Sequence, residues 1–455
     1  MPYKIAGIDV HKRMLHVVVS DVQIDGEYDF TRRIFGSLPE ALRSLAAWLV
    51  EQQVQEVVME STAQYWKPVW GTLERYWKPI CQTREGALAT SGTLHLAQAL
   101  SNRGRRGRKK DFRDAERLVK RLVAHELVLS FVPDVEQRLW RTVVRTKYQL
   151  TRNRVQLQNR LEALLEEAHI KLSSLVSDLL GASARRMLGA IADGETNRET
   201  LAALADRGLR ATQEQLQDAL GVCQELNPVY RRLIRMVLDE VASIDKRIEQ
   251  LNQEVANLLR PHEDQVKRLA EVPGLGVDTA QQIISEAGAT AATFPSEKHL
   301  SSWVGACPGD EESAEVNRSR RSPQGNRHMR RILNQAANAA VKLKGSVFEI
   351  LYRRYVPRLG HNQTIGIIAH KLCRLVWKIL HRGIRLRGAR PRGQQSVQTK
   401  AHPKNDPSTP QAWLPNRTEP FSISHPSMTA ISDSATVFDP ASCRFKRSMQ
   451  HHPML

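Results

Sequence analysis

Two short apolar-rich runs open the chain, YKIAGID and MLHVVVSDV, separated by a polar break. This pattern over Tyr3 to about Val22 predicts a β-hairpin. Apolar residues then recur at helical spacing from Leu38 to Gln52, and the strand-like run VQEVVME follows. With further mixed material up to Thr90, these elements predict an α/β sheet in a first domain spanning 1–132.

From 133 to 260 the pattern turns helical. Val143, Leu150, Leu157 and Leu164 fall seven residues apart in a charged background. Tyr230, Ile234, Val237, Val241, Ile244, Ile248, Leu251, Val255 and Leu258 alternate spacings of three and four, as a heptad seam does. The expectation is an antiparallel helical hairpin or coiled coil, with an ordinary amphipathic helix on a core as the alternative. Either makes the segment a spacer or an oligomerising arm. A third region, 261–385, carries EVPGLGVDTA, a stretch bearing Gly, Pro and Ser, and basic amphipathic helices such as NRHMRRILNQAANAAVKLK. Residues 386–455 are rich in Pro, Ser, Gln, Asn and Thr without apolar periodicity, so a disordered tail is expected there.

Charge changes the picture next. Lys and Arg outnumber Asp and Glu by 67 to 48, giving a net charge of +19, which points to a polyanionic partner and nucleic acid first. No uncharged apolar stretch reaches the length of about 18 residues that a membrane span needs, and MPYKIAGIDV has no secretory pattern; a cytoplasmic location is expected. The five cysteines are scattered without metal-ligand spacing and predict reduced thiols.

Four carboxylates stand where the predicted elements end. Asp9 follows the apolar run KIAGI, Glu60 closes VQEVVME, and Asp111 and Asp114 lie three apart in KKDFRDAERLVKRL, on one face of the first turn of a helix. Oxygen ligands of this kind suit hard divalent ions, Mg2+ or Mn2+. Two such ions roughly 3.5–4 Å apart activate an attacking oxygen and stabilise a leaving one. Each acid alone has a plainer explanation as a turn, cap or surface-pair residue. The order strand-Asp, strand-Glu, helix-DxxD nevertheless resembles the RNase H or RuvC nuclease layout. Just before it, SNRGRRGRKK offers Arg103, Arg105, Arg106, Arg108, Lys109 and Lys110 as phosphate neutralisers beside the acids, or as a solvated basic loop.

Downstream, Ser313 is expected in a Gly/Pro-rich loop ahead of Arg318, Arg320, Arg321, Arg327, Arg330 and Arg331, cations suited to a scissile phosphate. A serine hydroxyl is a weak nucleophile without a base or metal, and local chemistry does not favour Ser313 over Ser301, Ser302, Ser319 or Ser322. VPGLG, with Gly274 and Gly276 between two expected helices, resembles a helix-hairpin-helix turn whose backbone N–H groups meet a phosphate; a plain helix-helix turn is the alternative. The aromatics of YWKPVW are core residues or stacking platforms.

Residues 1 to about 385 as a whole resemble the DEDD transposases of bacterial insertion sequences, the class called IS one-ten and its branch named after IS eleven-eleven. The resemblance rests on GIDVHK with Asp9, MESTAQYW with Glu60, SNRGRRGRKKDFRDAERL with Asp111 and Asp114, EVPGLG, and WVGACPGDEESA with Ser313 followed by QGNRHMRR. It implies an α/β RNase H/RuvC-like N-terminal domain, a helical coiled-coil linker and a mainly α C-terminal transposase domain. It further implies DNA cleavage and strand transfer in which Ser313 forms a covalent 5′-phosphoserine link to DNA. A noncoding bridge RNA would guide the choice of donor and target, and a tetramer would form composite centres. Gln64, Ala314 and Gln324 depart from the commonest pattern without removing a catalytic group. A RuvC-like nuclease with water as nucleophile, and an inactive nucleic-acid-binding derivative, stand as the alternatives.

Overall fold

The computed structural model describes residues 3–22, 28–61, 63–83, 92–99, 111–307, 312–313, 316–317, 323 and 325–386. Strands β1 (Lys4–Val10), β2 (Met14–Asp21), β3 (Thr31–Gly36), β4 (Glu56–Glu60) and β5 (Thr93–Ala97) form one sheet in the order β3-β2-β1-β4-β5. The first two make the expected hairpin, with Asp9 opposite His16, and β3 continues the antiparallel meander. On the other side β4 and β5 run parallel to β1.

Both faces of this sheet are covered, which explains why Val17, Val18 and Val19 are buried in succession rather than alternately. On one face α1 (Pro39–Glu51) and α2 (Trp66–Tyr76), followed by α3 (Lys78–Thr83), bury Leu45, Leu49, Leu73 and Trp77 against Ile8, Leu15, Val17 and Met59. On the other, α4 (Asp111–Val123) sets Ala115, Leu118 and Val119 on Ile5, Val18 and Val58. Each such aliphatic side chain contributes about 1.5–3 kcal/mol when fully withdrawn from water. Gly7 fixes how closely α4 lies: a Cβ there would overlap the Ala115 carbonyl oxygen and press on Val119.

The rest is mostly helical. The long helices α5 (Val135–Glu167) and α9 (Pro228–Leu258) run side by side in opposite directions. Arg154 of α5 meets Asp245 of α9 midway. At one end Leu161 and Leu165 share a core with Ile234 and Val237, and at the other Trp140 and Val144 share a core with Val255. The first of these cores is completed by α6 (Ala182–Ala192), α7 (Arg198–Ala203) and α8 (Gln213–Ala219). The second is completed by α10 (Glu263–Ala270), α11 (Val277–Ala287), α12 (Glu297–Val304), α13 (Arg327–Ala340) and α14 (Val347–Arg382), the last interrupted at Gly360. Between α12 and α13 lies a two-stranded ribbon, β6 (Glu312–Ser313) with β7 (Val316–Asn317).

Of the nine seam positions on α9, Ile234, Val237, Val241 and Val255 are buried and the other five are half-buried. On α5 none of the four heptad positions is buried. Val143, Leu150, Leu157 and Leu164 are only half-buried, while Trp140, Val144, Leu161 and Leu165 are fully inside. A strict seven-residue series drifts about 20° per heptad around a straight helix, so it slides off the contact line. Among the described residues no helix is long and apolar enough to cross a membrane. The expected tail beyond 386 lies outside the described residues.

Candidate functional site

Asp9 is the penultimate residue of β1, and Glu60 is the last of β4. The two strands are parallel neighbours paired up to Ile8 and Met59, so Asp9 and Glu60 occupy the next register step at the carboxyl ends of adjacent strands. Because side chains alternate along a strand, both belong to the face that carries Ile5 and Val58, the face covered by α4. That helix begins at Asp111, so its DxxD turn lies at the same side of the sheet. Phe112 in that turn makes an edge contact with the His16 ring at 5.1 Å, and His16 stands opposite Asp9. The fold thus brings Asp9, Glu60 and the turn of Asp114 to one region. Asp114 pairs with Arg117 one turn on. The side chain of Asp111 lies outside the described residues, as does the whole basic run holding Arg103, Arg105, Arg106, Arg108, Lys109 and Lys110.

Two imidazoles join this cluster that sequence reasoning missed. The buried Asp9 carboxylate is 3.1 Å from His11 Nε2, and ligand atoms of Asp9, His11 and His16 all lie within 4.8 Å of one another. One oxygen and two nitrogens is a donor set that suits a divalent transition ion as well as a hard one. The signal was present in GIDVHK: His11 lies two residues after Asp9, and His16 becomes its cross-strand partner once the hairpin closes.

Ser313 lies in the short strand β6, paired with Val316, rather than in the plain loop expected. Its side chain and the arginines at 318, 320 and 321 fall outside the described residues. Asn326 caps α13 by accepting from the His328 and Met329 amides, so Arg327 opens that helix at the surface. Arg330 turns inward and donates to the carbonyls of Val304 and Pro323, committing its guanidinium to the turn around Gly305. Gly274 has a positive φ of 84° and lies against the backbone of α13, where a Cβ would overlap the Ala336 carbonyl oxygen. It therefore serves close packing. Gly276 caps α11 with open space around its Cα.

A second, larger feature lies where α5 passes between the sheet and α13. A groove of about 1250 Å³ is lined by Ser61, Gln64, Trp66, Lys67 and Trp70, by Leu96, by 130–133, by one side of α5 from Val135 out to Arg152, and by Arg327, His328 and Arg331. Lys67, Arg138, Arg141, Arg145, Arg152, Arg327 and Arg331 supply its charge, and among the described residues no Asp or Glu lines it. Four of these arginines sit on α5 at spacings of three, four and seven, which place them on one helical face. That spacing is written in RLWRTVVRTKYQLTRNR, although nothing local says what the face meets. Beneath them Glu286, 1% exposed, accepts two hydrogen bonds from Arg145 at 2.8 and 2.9 Å and one from Asn326, with Arg141 3.5 Å away. Burial alone would raise the Glu286 carboxyl, but the Arg145 hydrogen bonds and the charges of Arg145 and Arg141 outweigh it and hold it below its ordinary range. Burial also lowers Arg141, to about 10, and holds His328 down with help from the Arg145 charge, so this histidine adds no positive charge at neutral pH. Arg331 stacks over the Tyr148 ring at 3.8 Å, and Phe131 is 43% exposed.

Two stretches of the chain match transposase family models. Residues 6–170 match the DEDD transposase model of the IS110 group, and residues 266–353 match the model described as the transposase IS116/IS110/IS902 family. The chain is similar to a Pseudomonas aeruginosa protein named "Probable family 20 transposase", 23% identical over 283 residues, which cover 61% of this chain and 73% of that one. It is also similar to the Coxiella burnetii "Transposase for insertion sequence element IS1111A", 26% identical over 162 residues, which cover 34% of this chain and 44% of that protein.

Proposed function

The chain belongs to the IS110-class DEDD transposases, whose activity is cleaving and rejoining DNA, and we propose that it does so with two separate chemical centres. The first is an RNase H/RuvC-like metal site formed by Asp9, Glu60, Asp111 and Asp114. The observation that carries it is the convergence of Asp9, Glu60 and the first turn of α4 at the carboxyl ends of adjacent parallel strands, where open α/β sheets bind ligands. The strand order, an antiparallel meander followed by parallel strands, supports the same reading. One or two Mg2+ or Mn2+ ions held there would supply Lewis-acid stabilisation of phosphate oxygens. The chain's part is to hold the carboxylates fixed: Gly7 sets the depth of α4, and His11 and His16 flank Asp9.

The second centre is Ser313. Its Oγ attacks the scissile phosphorus, forming an Oγ–P bond to the 5′ side while the bond from phosphorus to the 3′ oxygen breaks. The serine proton passes to a base, and the departing 3′ oxygen takes one up as a hydroxyl. Rejoining is the reverse attack by a 3′-hydroxyl, so the phosphodiester is conserved without an external energy source. The resemblance described above supports a bridge RNA as guide and a tetramer whose subunits share centres. The half-buried Ile244 and Ile248 on α9 offer further apolar surface for such assembly, and light scattering of the Ile244→Asp, Ile248→Asp chain should show loss of the assembled mass.

The decisive experiment amplifies the excised circular junction from a plasmid carrying the complete element with its flanks. A junction formed by the unmodified chain and lost in both Asp9→Ala and Ser313→Ala supports two centres. Persistence in Ser313→Ala would instead assign cleavage to water at the acid site, the 3′-hydroxyl so released attacking a second phosphodiester to form the junction and displacing that bond's 3′ oxygen.

A further inference from the structure

We propose that the groove along α5 is a binding track for an unpaired DNA strand, leading between the acid site and the segment that carries Ser313. The inference rests on the DNA-processing reading above and adds to it a site, a strand state and the residues that recognise it.

Size points to a polymer. At about 1250 Å³ the groove exceeds the roughly 300–1,000 Å³ of small-molecule sites. Charge points to a polyanion. Glu74 pairs with Arg138, and Glu286 answers Arg141 and Arg145, but Lys67, Arg152, Arg327 and Arg331 have no carboxylate partner among the described residues. Seven cations against these two carboxylates leave a surplus of five positive charges along this wall. The buried Glu286 is what makes the arrangement rigid: it fixes the guanidinium of Arg145 by two hydrogen bonds, and Arg141 reaches the Ser285 carbonyl at 3.2 Å. Cations held in place by the fold lose little freedom when a phosphate arrives.

The aromatic lining selects the strand state. A duplex presents phosphates outward and keeps its base faces stacked inside, so it gains nothing from Trp66, Phe131 or Tyr148. An unpaired strand offers base faces that stack on such rings while its phosphates follow the cations. Phe131 is 43% exposed with its ring available, and Tyr148 already carries Arg331 on one face, a platform that extends the stack. Position points to DNA. Ser61 in the groove wall follows Glu60 directly in sequence, and Arg327, also in the wall, is the first residue of the helix after the Ser313 ribbon. A strand lying here would be bound by chain segments adjacent in sequence to both proposed centres.

The test measures fluorescence anisotropy of the full chain with a labelled single-stranded DNA oligonucleotide, the matching duplex and the same sequence as RNA, all in EDTA so that chemistry is silent. The expected order is single-stranded DNA tightest. Arg152→Glu with Arg327→Glu should weaken it about tenfold or more and flatten the salt dependence, by about 0.7 in log K against log salt for each phosphate no longer neutralised. Phe131→Ala should weaken it roughly five- to a hundredfold with the salt slope unchanged. Equal or tighter binding of duplex or RNA, or unchanged binding of single-stranded DNA by both variants, would overturn the proposal. Because nothing is cut in EDTA, these results stand apart from the junction assay: binding can survive a failed two-centre mechanism, and junction formation can survive a failed groove.

Discussion

The acid site and the α5 groove use the same charged groups in opposite roles. At the carboxyl end of the sheet, Glu60 and Asp114 are half-buried beside the buried Asp9, which His11 and His16 flank, while Arg117 pairs with Asp114. In the groove, cations stand forward and the single carboxylate at the centre, Glu286, is withdrawn beneath them at 1% exposure. Burial decides which sign acts on the ligand. The group left partly open meets the partner, and the one taken out of water organises its neighbours, since an uncompensated buried charge is costly and a paired one fixes geometry.

Removing the organiser should have the largest effect. Glu286→Gln leaves Arg141 and Arg145 without their counter-charge and should cost about 3–5 kcal/mol of stability, read as a lowered Tm and denaturant midpoint. Retained stability would make Glu286 an ordinary core polar residue. Mn2+ addition should raise the Tm of the unmodified chain, by the equivalent of about 2.7 kcal/mol at a hundredfold excess over Kd, and Asp9→Asn should abolish that rise while Glu286→Gln keeps it. Gly7→Ala forces α4 off the sheet and should cost about 1–3 kcal/mol. It should also weaken the Mn2+ response, which a purely structural glycine far from the acids would leave alone.

Smaller effects sharpen the same contrast. The Glu286 carboxyl titrates below its ordinary 4.5 in the fold, so the stability it confers is fully present above that pH and is lost as pH falls through its lower folded value. Acid unfolding curves of Glu286→Gln should therefore be flatter than those of the unmodified chain below about pH 4.5. Smallest of all, Arg152→Ala should change the Tm by less than the equivalent of about 0.5 kcal/mol, because an exposed arginine poised for a ligand does little for the fold alone.

Local pattern made much of the N-terminal half legible. The β1–β2 hairpin, α1 and β4 follow from short runs of alternating or clustered apolar residues, and the DxxD acids open α4 as their spacing suggested. The edge strand β3 was silent because four of the six residues in TRRIFG are exposed in succession and carry no alternation. The groove was silent for a different reason. Its walls come from Ser61–Trp70, Leu96, Ser130–Arg152 and Arg327–Arg331, segments that meet only through tertiary packing. Pairing of Glu286 with arginines 141 and 145 positions earlier has no local signature at all. Gly274 shows what motif reading leaves out: VPGLG suggested backbone offered to phosphate, and the positive φ of Gly274 and its contact with α13 add a packing role that the string does not reveal.

The α5–α9 pair also acts as a phase-locked shaft. The 33 residues of α5 span roughly 50 Å without a break, fixed to one core near Trp140 and to another near Leu161. Adding one residue between those anchors would turn the far core by about 100° and advance it by about 1.5 Å. Length in this segment is therefore quantised: related chains can lengthen or shorten the shaft only by near-whole turns made in both helices together, so any change of reach comes in steps of a helical pitch and keeps the orientation of what the shaft carries.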